Sequence, residues 1–223
     1  MSKEHPILFS ADMVNAIIAG NKMQTRRVIK PQPIEMPVTL EGHSGVTLFR
    51  PKKDNAMQGV HESWLKQGRL HHWKCKYGKI GDKLWVRETW RTYASLDDIS
   101  PCNIVTGAGI QYEALGTNLP NDKGDYLFGM GKCRPSIHMP RWASRILLEI
   151  TDIRVERLND ISESDAIAEG IEKHQTGLWL LCAEKGKAHI DPRRAYRDLW
   201  ERINGEGLWS QNPFVFVISF KRI

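Results

Sequence analysis

The sequence has 223 residues, enough for one well-cored domain with insertions or for two small domains. A hydrophobic content of 41% and a charged content of 26% are ordinary for a soluble globular protein. No apolar run approaches membrane-spanning length, which excludes a helical membrane protein, and the sequence shows no charged-then-apolar leader. The net charge of +6 points mildly toward nucleic acid or another polyanion.

The cysteines favour a reduced, cytoplasmic protein because they are widely separated and form no Cys-x-x-Cys pair. The alternative is a zinc site that combines His71, His72 and Cys75 with Cys102 or Cys133. Metal sites usually have tighter paired spacing, so buried thiols and surface histidines are favoured. We therefore predict no metal and no cofactor, although the sequence leaves open whether His71, His72 and Cys75 bind one.

The amino-terminal quarter predicts a strand, a helix and a second strand. A short apolar run at 6–9 comes first, and Ser10 is a good N-cap for a helix over 11–19 with apolar residues four apart. Gly20 suits the position that ends such a helix. The segment 22–28 is then predicted as a strand.

The middle of the chain contains two strands and two long irregular insertions. Residues 31–80 are polar and rich in Pro and Gly, which predicts little regular structure. A strand is predicted over 84–90, and a second irregular insertion covers about 92–140. The run at 145–158 is the clearest strand signal because it is rich in Ile, Leu and Val.

The last third predicts two helices and a closing strand. Ser162 is the expected N-cap of a helix that ends at Gly170, with Asp165 as its capping partner. Asp191 followed by Pro192 predicts the start of another helix, and 214–220 reads as a strand. Strands with little regular βαβ alternation suggest a single α+β domain around a small mixed β-barrel with flanking helices.

The segment that follows Gly20 carries the densest chemistry in the chain, namely Lys22, Thr25, Arg26 and Arg27. If Lys22 lies in the turn and the strand starts near Gln24, Thr25 and Arg27 share one face and Arg26 takes the other. A lysine whose pKa is lowered by burial and neighbouring cations can activate a threonine hydroxyl. A solvated basic strand end or a simple anion-binding turn is the alternative.

A second basic region lies between 126 and 148, where no acid occurs. Arg141 and Arg145 flank Trp142, and we group Arg87 on the preceding strand with them. Cations interleaved with an aromatic ring suit pairing with a nucleic-acid backbone and stacking on its bases. The alternative is that Trp142 belongs to the core and the cations form a solvated rim.

Several motifs, in this order along the chain, resemble the ASCH family of PUA-like proteins. They are Gly20-Asn21-Lys22-x-x-Thr25-x-Arg27, Gly81-Asp82-x-Leu84-Trp85-Val86, Asp160-Ile161-Ser162-x-x-Asp165-Ala166-x-x-Glu169-Gly170 and Val217-Ile218-Ser219-Phe220. The whole chain, with Arg141-Trp142-Ala143-Ser144-Arg145, is also similar to the longer ASCH proteins of phages and prophages.

This resemblance implies a PUA-like mixed β-barrel whose cleft binds RNA or a modified nucleoside. Some small bacterial members of the family hydrolyse N(4)-acetylcytidine. By that analogy Lys22 acts as the base, Thr25 as the nucleophile and Glu169 as the acid, with Arg26 and Arg27 contacting the substrate. A non-catalytic module that binds RNA or a modified base, and a ribonuclease, are the alternatives. The sequence predicts no oligomeric state.

Overall fold

The computed structural model describes residues 2–40, 43–49, 75–115, 129–181 and 187–223. The α-helices in these ranges are α1 (Ala11–Ile18), α2 (Glu163–Ala168) and α3 (Pro192–Asn204). The strands are β1 (Glu4–Leu8), β2 (Gln24–Val28), β3 (Ile34–Leu40), β4 (His43–Phe49), β5 (Lys83–Arg87), β6 (Trp90–Arg91), β7 (Gln111–Tyr112), β8 (Leu147–Arg157), β9 (Ile171–Lys173), β10 (Trp179–Leu181) and β11 (Phe214–Arg222). No helix in these ranges is long and apolar enough to cross a membrane.

The main sheet has five strands in the order β1-β5-β8-β11-β2. The pairing of β1 with β5 is parallel, and the other neighbouring strands pair antiparallel. The predicted α+β class is therefore confirmed. The backbone ladders leave the sheet open, with β1 and β2 as its edge strands.

The two faces of this sheet bury two separate hydrophobic clusters. On β11, Phe216, Ile218 and Phe220 face the first cluster, which β1, α1, β5 and β8 complete. Val215 and Val217 face the second cluster, which contains α3 and the segments around α2 and β9. This alternation follows from the two-residue side-chain period of a strand, and it confirms the predicted closing strand.

A third, smaller hydrophobic cluster lies in and beside the stretch at 92–140 that was predicted to be irregular. Trp90, Ile104, Met139 and Ala143 are buried together, and β6 pairs with β7 beside them. Short 3₁₀-helical turns and extended segments surround this cluster. Trp90 is completely buried within this cluster.

The prediction of little regular structure over 31–80 is wrong for its first part. Residues 34–40 and 43–49 form the antiparallel hairpin β3–β4, in which Pro37 lies opposite Val46. Proline suggested a loop because it lacks a backbone donor, but the hairpin has only two strands, and edge strands tolerate it. Residues 50–74 lie outside the described part of the chain.

The predicted caps are confirmed by their hydrogen bonds. Ser162 Oγ accepts a hydrogen bond from the Asp165 backbone N–H at 3.1 Å, and Asp191 caps α3 in the same way through the Arg193 N–H. Gly170, just after α2, has a φ of +96°, and a Cβ built there would lie 3.2 Å from the Ala16 Cβ. The turn that carries Glu169 therefore depends on a glycine for both its conformation and its packing.

Replacing Gly170 by alanine should destabilise the protein more than replacing Gly20. Both glycines have positive φ, so each substitution costs about 1–2 kcal/mol in backbone strain. At Gly20 the added methyl group meets open space, whereas at Gly170 it crowds Ala16 and Lys22. Urea unfolding of both variants measures the difference, and equal losses would contradict the packing argument.

Candidate functional site

A cavity of about 460 Å³ lies beside strand β2 and helix α3. Its wall includes Thr25, Glu169, Arg26 and Arg27, which the sequence analysis had selected, together with Tyr196. A cavity of this volume is within the usual range for small-molecule sites. The structure therefore brings four predicted site residues, from distant parts of the chain, to one concave surface.

Lys22 and Glu169 are in direct contact at this site. The Lys22 Nζ lies 2.7 Å from a Glu169 carboxylate oxygen and donates to the Glu169 backbone oxygen at 2.8 Å. The backbones of these two residues also form an antiparallel bridge. Both side chains are almost completely buried, so the ion pair is shielded from solvent.

Burial lowers the pKa of Lys22 below its ordinary value. The Glu169 carboxylate opposes this change, while the positive charges of Arg27 and Arg26 add to it. The predicted field of cations around Lys22 is therefore present. A buried lysine with a lowered pKa gives up its proton more readily, which is the property that a lysine base requires.

Arg26 holds the second oxygen of Glu169. Its Nη1 lies 3.3 Å from Glu169 Oε1, and its Nη2 lies 2.5 Å from Glu156 and 3.2 Å from Asp165. Arg154 joins the same group by binding both Glu156 and Asp165. The guanidinium of Arg26 lines the cavity, but its charge is satisfied by carboxylates of the protein.

Thr25 and Arg27 lie on the opposite face of β2 from Arg26, as the sequence analysis predicted. Thr25 pairs with Ile218 and Arg27 with Phe216, both on the first-cluster face of β11, whereas Arg26 pairs with Val217. Lys22 belongs to the Thr25 side, because its Nζ and the Arg27 guanidinium lie 5.8 and 5.3 Å from the same Phe9 ring.

Tyr196 contributes a hydroxyl to the acid end of the site. It donates a long hydrogen bond of 3.5 Å to Glu169 Oε1, and its ring lies 5.8 Å from the Arg26 guanidinium. Burial and the nearby Glu169 charge raise the pKa of Tyr196 well above its ordinary value. The phenol is therefore a fixed donor to Glu169 over the physiological range of pH.

The other predicted binding residues lie elsewhere, among the residues that surround the third cluster. Arg141 forms an ion pair with Glu4 at 2.7 Å, and Arg145 forms a bidentate pair with Glu88. Trp142 packs edge-on against Trp90, with ring centroids 6.5 Å apart. The stretch 126–148 contains no acid of its own, and the carboxylates that pair with Arg141 and Arg145 come from distant parts of the chain.

Arg87 is likewise engaged within the protein. Its Nε donates to the Met139 backbone oxygen at 3.0 Å, and its guanidinium lies 5.1 Å from the Trp85 ring. Neither Arg87 nor the residues around Trp142 are among those that line the cavity at Thr25. A role for this second region in nucleic-acid binding stays a prediction.

The proposed zinc ligands fall partly outside the described residues, because His71 and His72 lie in 50–74. Cys75 is buried, and burial raises the pKa of its thiol. Within the described ranges, no three His, Cys, Asp or Glu side chains are grouped closely enough to hold a metal ion.

Sequence reasoning missed part of the cavity wall. Lys76 and Tyr77 line the cavity from within the predicted insertion at 31–80, where the basic–aromatic pair was the only local signal. Tyr196 and Trp200 are buried in the core and also line the cavity. Side chains on a buried helix face can therefore belong to the core and also contact a ligand at the edge of that face.

Comparisons of the chain with protein-family models, with curated proteins and with solved structures give no match. The resemblance to the ASCH family therefore rests on the motif residues.

The effects of replacing Lys22 and Glu169 on the free energy of unfolding should be strongly coupled. Lys22→Met and Glu169→Gln should each cost about 3–5 kcal/mol, because each removes one partner of a buried ion pair and leaves the charges of the buried group unbalanced. The double variant should cost less than the sum of the two. The exposed pair of Arg141 and Glu4, treated in the same way, should show a coupling below about 1 kcal/mol. Urea unfolding of both cycles checks this, and equal couplings would refute it.

The stabilising effect of Asp165 should disappear at low pH. Its partial burial raises the pKa of this carboxyl, but hydrogen bonding to Arg154 and the charge of Arg26 outweigh burial and lower the pKa to about 2. A lowered pKa in the folded state gives stability that is present above the unfolded-state pKa and is lost toward pH 2. Asp165→Asn should therefore destabilise at pH 7, with a difference that shrinks between about pH 4 and pH 2.

Unfolding free energies measured across this pH range test the effect. The matched control is Asp152→Asn, since Asp152 is an exposed partner of Arg154 at 3.9 Å. It should show a small difference with little dependence on pH. A pH-independent loss for Asp165→Asn would show that packing rather than charge is responsible.

Proposed function

We propose that this protein is an ASCH-type hydrolase that removes the acyl group from N(4)-acetylcytidine or a related N(4)-acylated cytidine. The observation that carries the proposal is the 2.7 Å contact between Lys22 and Glu169 at a cavity whose wall contains Thr25. An amine base, a hydroxyl and a carboxyl group are the set that such an acyl transfer requires.

For the fold, we infer that the five-stranded sheet is the core of a PUA-like barrel. Its two edge strands are connected by a side chain, because Arg27 of β2 donates to the Leu8 backbone oxygen of β1 at 2.6 Å. The helix α1 covers the same side, with Val14 and Ile17 in the first cluster. Both features are expected where the two edge strands of a curled sheet approach each other.

The reaction would start from a proton shift within the buried pair. Transfer of one proton from Lys22 Nζ to Glu169 Oε2, across their 2.7 Å hydrogen bond, gives a neutral amine and a neutral carboxylic acid. These are the protonation states that a general base and a general acid need. Burial of both side chains lowers the cost of this neutral form relative to the charged pair.

The first half-reaction forms an ester on Thr25. Lys22 takes the hydroxyl proton, and Thr25 Oγ attacks the acyl carbon to give a tetrahedral intermediate. The C–N bond then breaks as Glu169 gives its proton to the cytidine nitrogen, which leaves as a free amine. Cytidine is released, and Lys22 and Glu169 return to the ion-paired state.

The second half-reaction regenerates the enzyme with water. After the same proton shift, the Lys22 amine takes a proton from water, whose oxygen attacks the ester carbon. The C–O bond to Thr25 breaks, and the Thr25 oxygen recovers a proton from the acid. The acyl group leaves as acetic acid, which ionises to acetate. Arg26 and Tyr196 act as positioning residues, because both bind Glu169 Oε1.

A non-catalytic nucleoside-binding module is the second candidate. It is favoured by the two cations on Glu169, since Lys22 and Arg26 each hold one of its oxygens. Such contacts stabilise the ionised carboxylate, which accepts hydrogen bonds but has no proton to give. In that case the pair would hold a ligand amine without cleaving its amide.

The test is the release of acetate from N(4)-acetylcytidine by the wild type and by two matched variants of Thr25. Thr25→Val keeps the branched shape but removes the hydroxyl, and it should lower kcat/KM by about three orders of magnitude or more. Thr25→Ser keeps the hydroxyl and should retain measurable turnover. Mass spectrometry of protein quenched during turnover should detect an acetyl group on Thr25.

Binding of cytidine to the Thr25→Val variant serves as the control for an intact cavity. A wild-type protein that binds acetylcytidine but releases no acetate would reject the hydrolase and support the binding module. Equal turnover by the wild type and Thr25→Val would show that Thr25 is not the nucleophile.

A further inference from the structure

The cavity wall has a strong excess of positive charge. Arg26, Arg27, Lys30 and Lys76 line it, and Glu169 is the one carboxylate among its described lining residues. Glu169 is already paired with Lys22, and Arg26 with Glu156 and Asp165. The uncompensated charge therefore belongs to Arg27, Lys30 and Lys76, none of which forms an ion pair with another described residue.

Arg27 is held in place, and no carboxylate in the described part of the chain neutralises it. One Nη2 hydrogen bond to the Leu8 backbone oxygen fixes its position, and the guanidinium lies 5.3 Å from the Phe9 ring and 5.9 Å from the Tyr77 ring. Lys76 also lines the cavity, and its Nζ lies 4.9 Å from the centre of the same Tyr77 ring. A positioned arginine with unpaired charge and exposed lysines beside it is the usual composition of a phosphate site.

The position of these cations relative to Thr25 also matters. Arg27 is the next residue on the same face of β2, about 7 Å farther along the strand, and Lys30 follows beyond the end of that strand. A cytidine derivative carries its acylated amine and its ribose phosphate at opposite ends. With the amine at Thr25 and Glu169, the phosphate end would extend toward Arg27 and the lysines.

We propose that Arg27, Lys30 and Lys76 form a phosphate subsite, so that the ligand of this cavity is a phosphorylated cytidine derivative and not the free nucleoside. The inference rests on the proposed function only for the orientation of the base. The group that binds is a cytidine phosphate, which either a free mononucleotide or an RNA strand can supply.

The test compares cytidine with cytidine 5′-monophosphate and 3′-monophosphate by titration calorimetry at low ionic strength. At least one monophosphate should bind about tenfold or more tightly than cytidine, because charge-assisted hydrogen bonds of this kind are strong. Arg27→Gln and Lys76→Gln should each reduce this ratio, and so should added salt. Lys79→Gln, which removes an exposed charge three residues from Lys76 but outside the cavity wall, should leave the ratio unchanged.

Equal binding of cytidine and both monophosphates, or no binding of either monophosphate at millimolar concentration, would overturn the subsite. So would a ratio that Arg27→Gln does not change. A short cytidine oligonucleotide that binds more tightly than the monophosphates would identify an RNA strand as the source, and equal binding would identify a free nucleotide. These affinities involve no acyl chemistry, so a failure of acetate release leaves the phosphate test intact, and the reverse also holds.

Discussion

The carboxylate of Glu169 is the interaction on which the rest of the site depends. One oxygen is bound by Lys22 and the other by Arg26, and the two cations approach from opposite faces of strand β2. Glu169 can reach both because β2 is an edge strand and the turn after α2 lies against that edge. The same contact therefore fixes the acid, orients the lysine and attaches helix α2 to the main sheet.

This arrangement has a cost that the surrounding structure must offset. Buried charges are unfavourable unless they are paired and hydrogen-bonded, and here the backbone oxygen of Glu169, the Tyr196 hydroxyl and the Gln24 side chain supply further hydrogen bonds, while the Arg26 Nε has no partner among the described residues. The two hydrophobic clusters lie on the two faces of the sheet beside this group. Arg26 and Glu169 line the cavity, whereas the Lys22 side chain is buried against Glu169 and is not among the lining residues.

Much of the fold was predictable from local sequence because local rules determine it. Ser10, Ser162 and Asp191 cap helices as predicted, and the strands predicted over 145–158 and 214–220 follow from their β-branched and apolar residues. The strand predicted over 84–90 is divided into β5 and β6 by a break at residues 88 and 89. The side-chain alternation in β2 also follows from strand geometry alone. The hairpin β3–β4 was missed because its proline resembles a loop signal, although a two-stranded ladder tolerates it.

The site was predictable only in part, since its charges are matched over long separations. Arg26 was predicted to contact substrate and does line the cavity, and its guanidinium is also bound by Glu156 and Glu169, 130 and 143 residues away in sequence. Nucleic-acid binding by Arg141 and Arg145 stays a prediction, and their carboxylate partners Glu4 and Glu88 lie on or beside distant strands. A stretch of sequence without Asp or Glu can still be neutralised by carboxylates that lie far away in sequence and close in the fold.

The ion network around Arg26 also limits how the protein can change during evolution. Three cations, Lys22, Arg26 and Arg154, are matched by Glu156, Asp165 and Glu169. Loss of any one of them leaves an unmatched charge in a group that is buried or partly buried, so tolerated replacements should arise as paired substitutions. Related sequences should therefore show correlated changes between β2 and the segment from β8 to α2, even where every surface position has diverged.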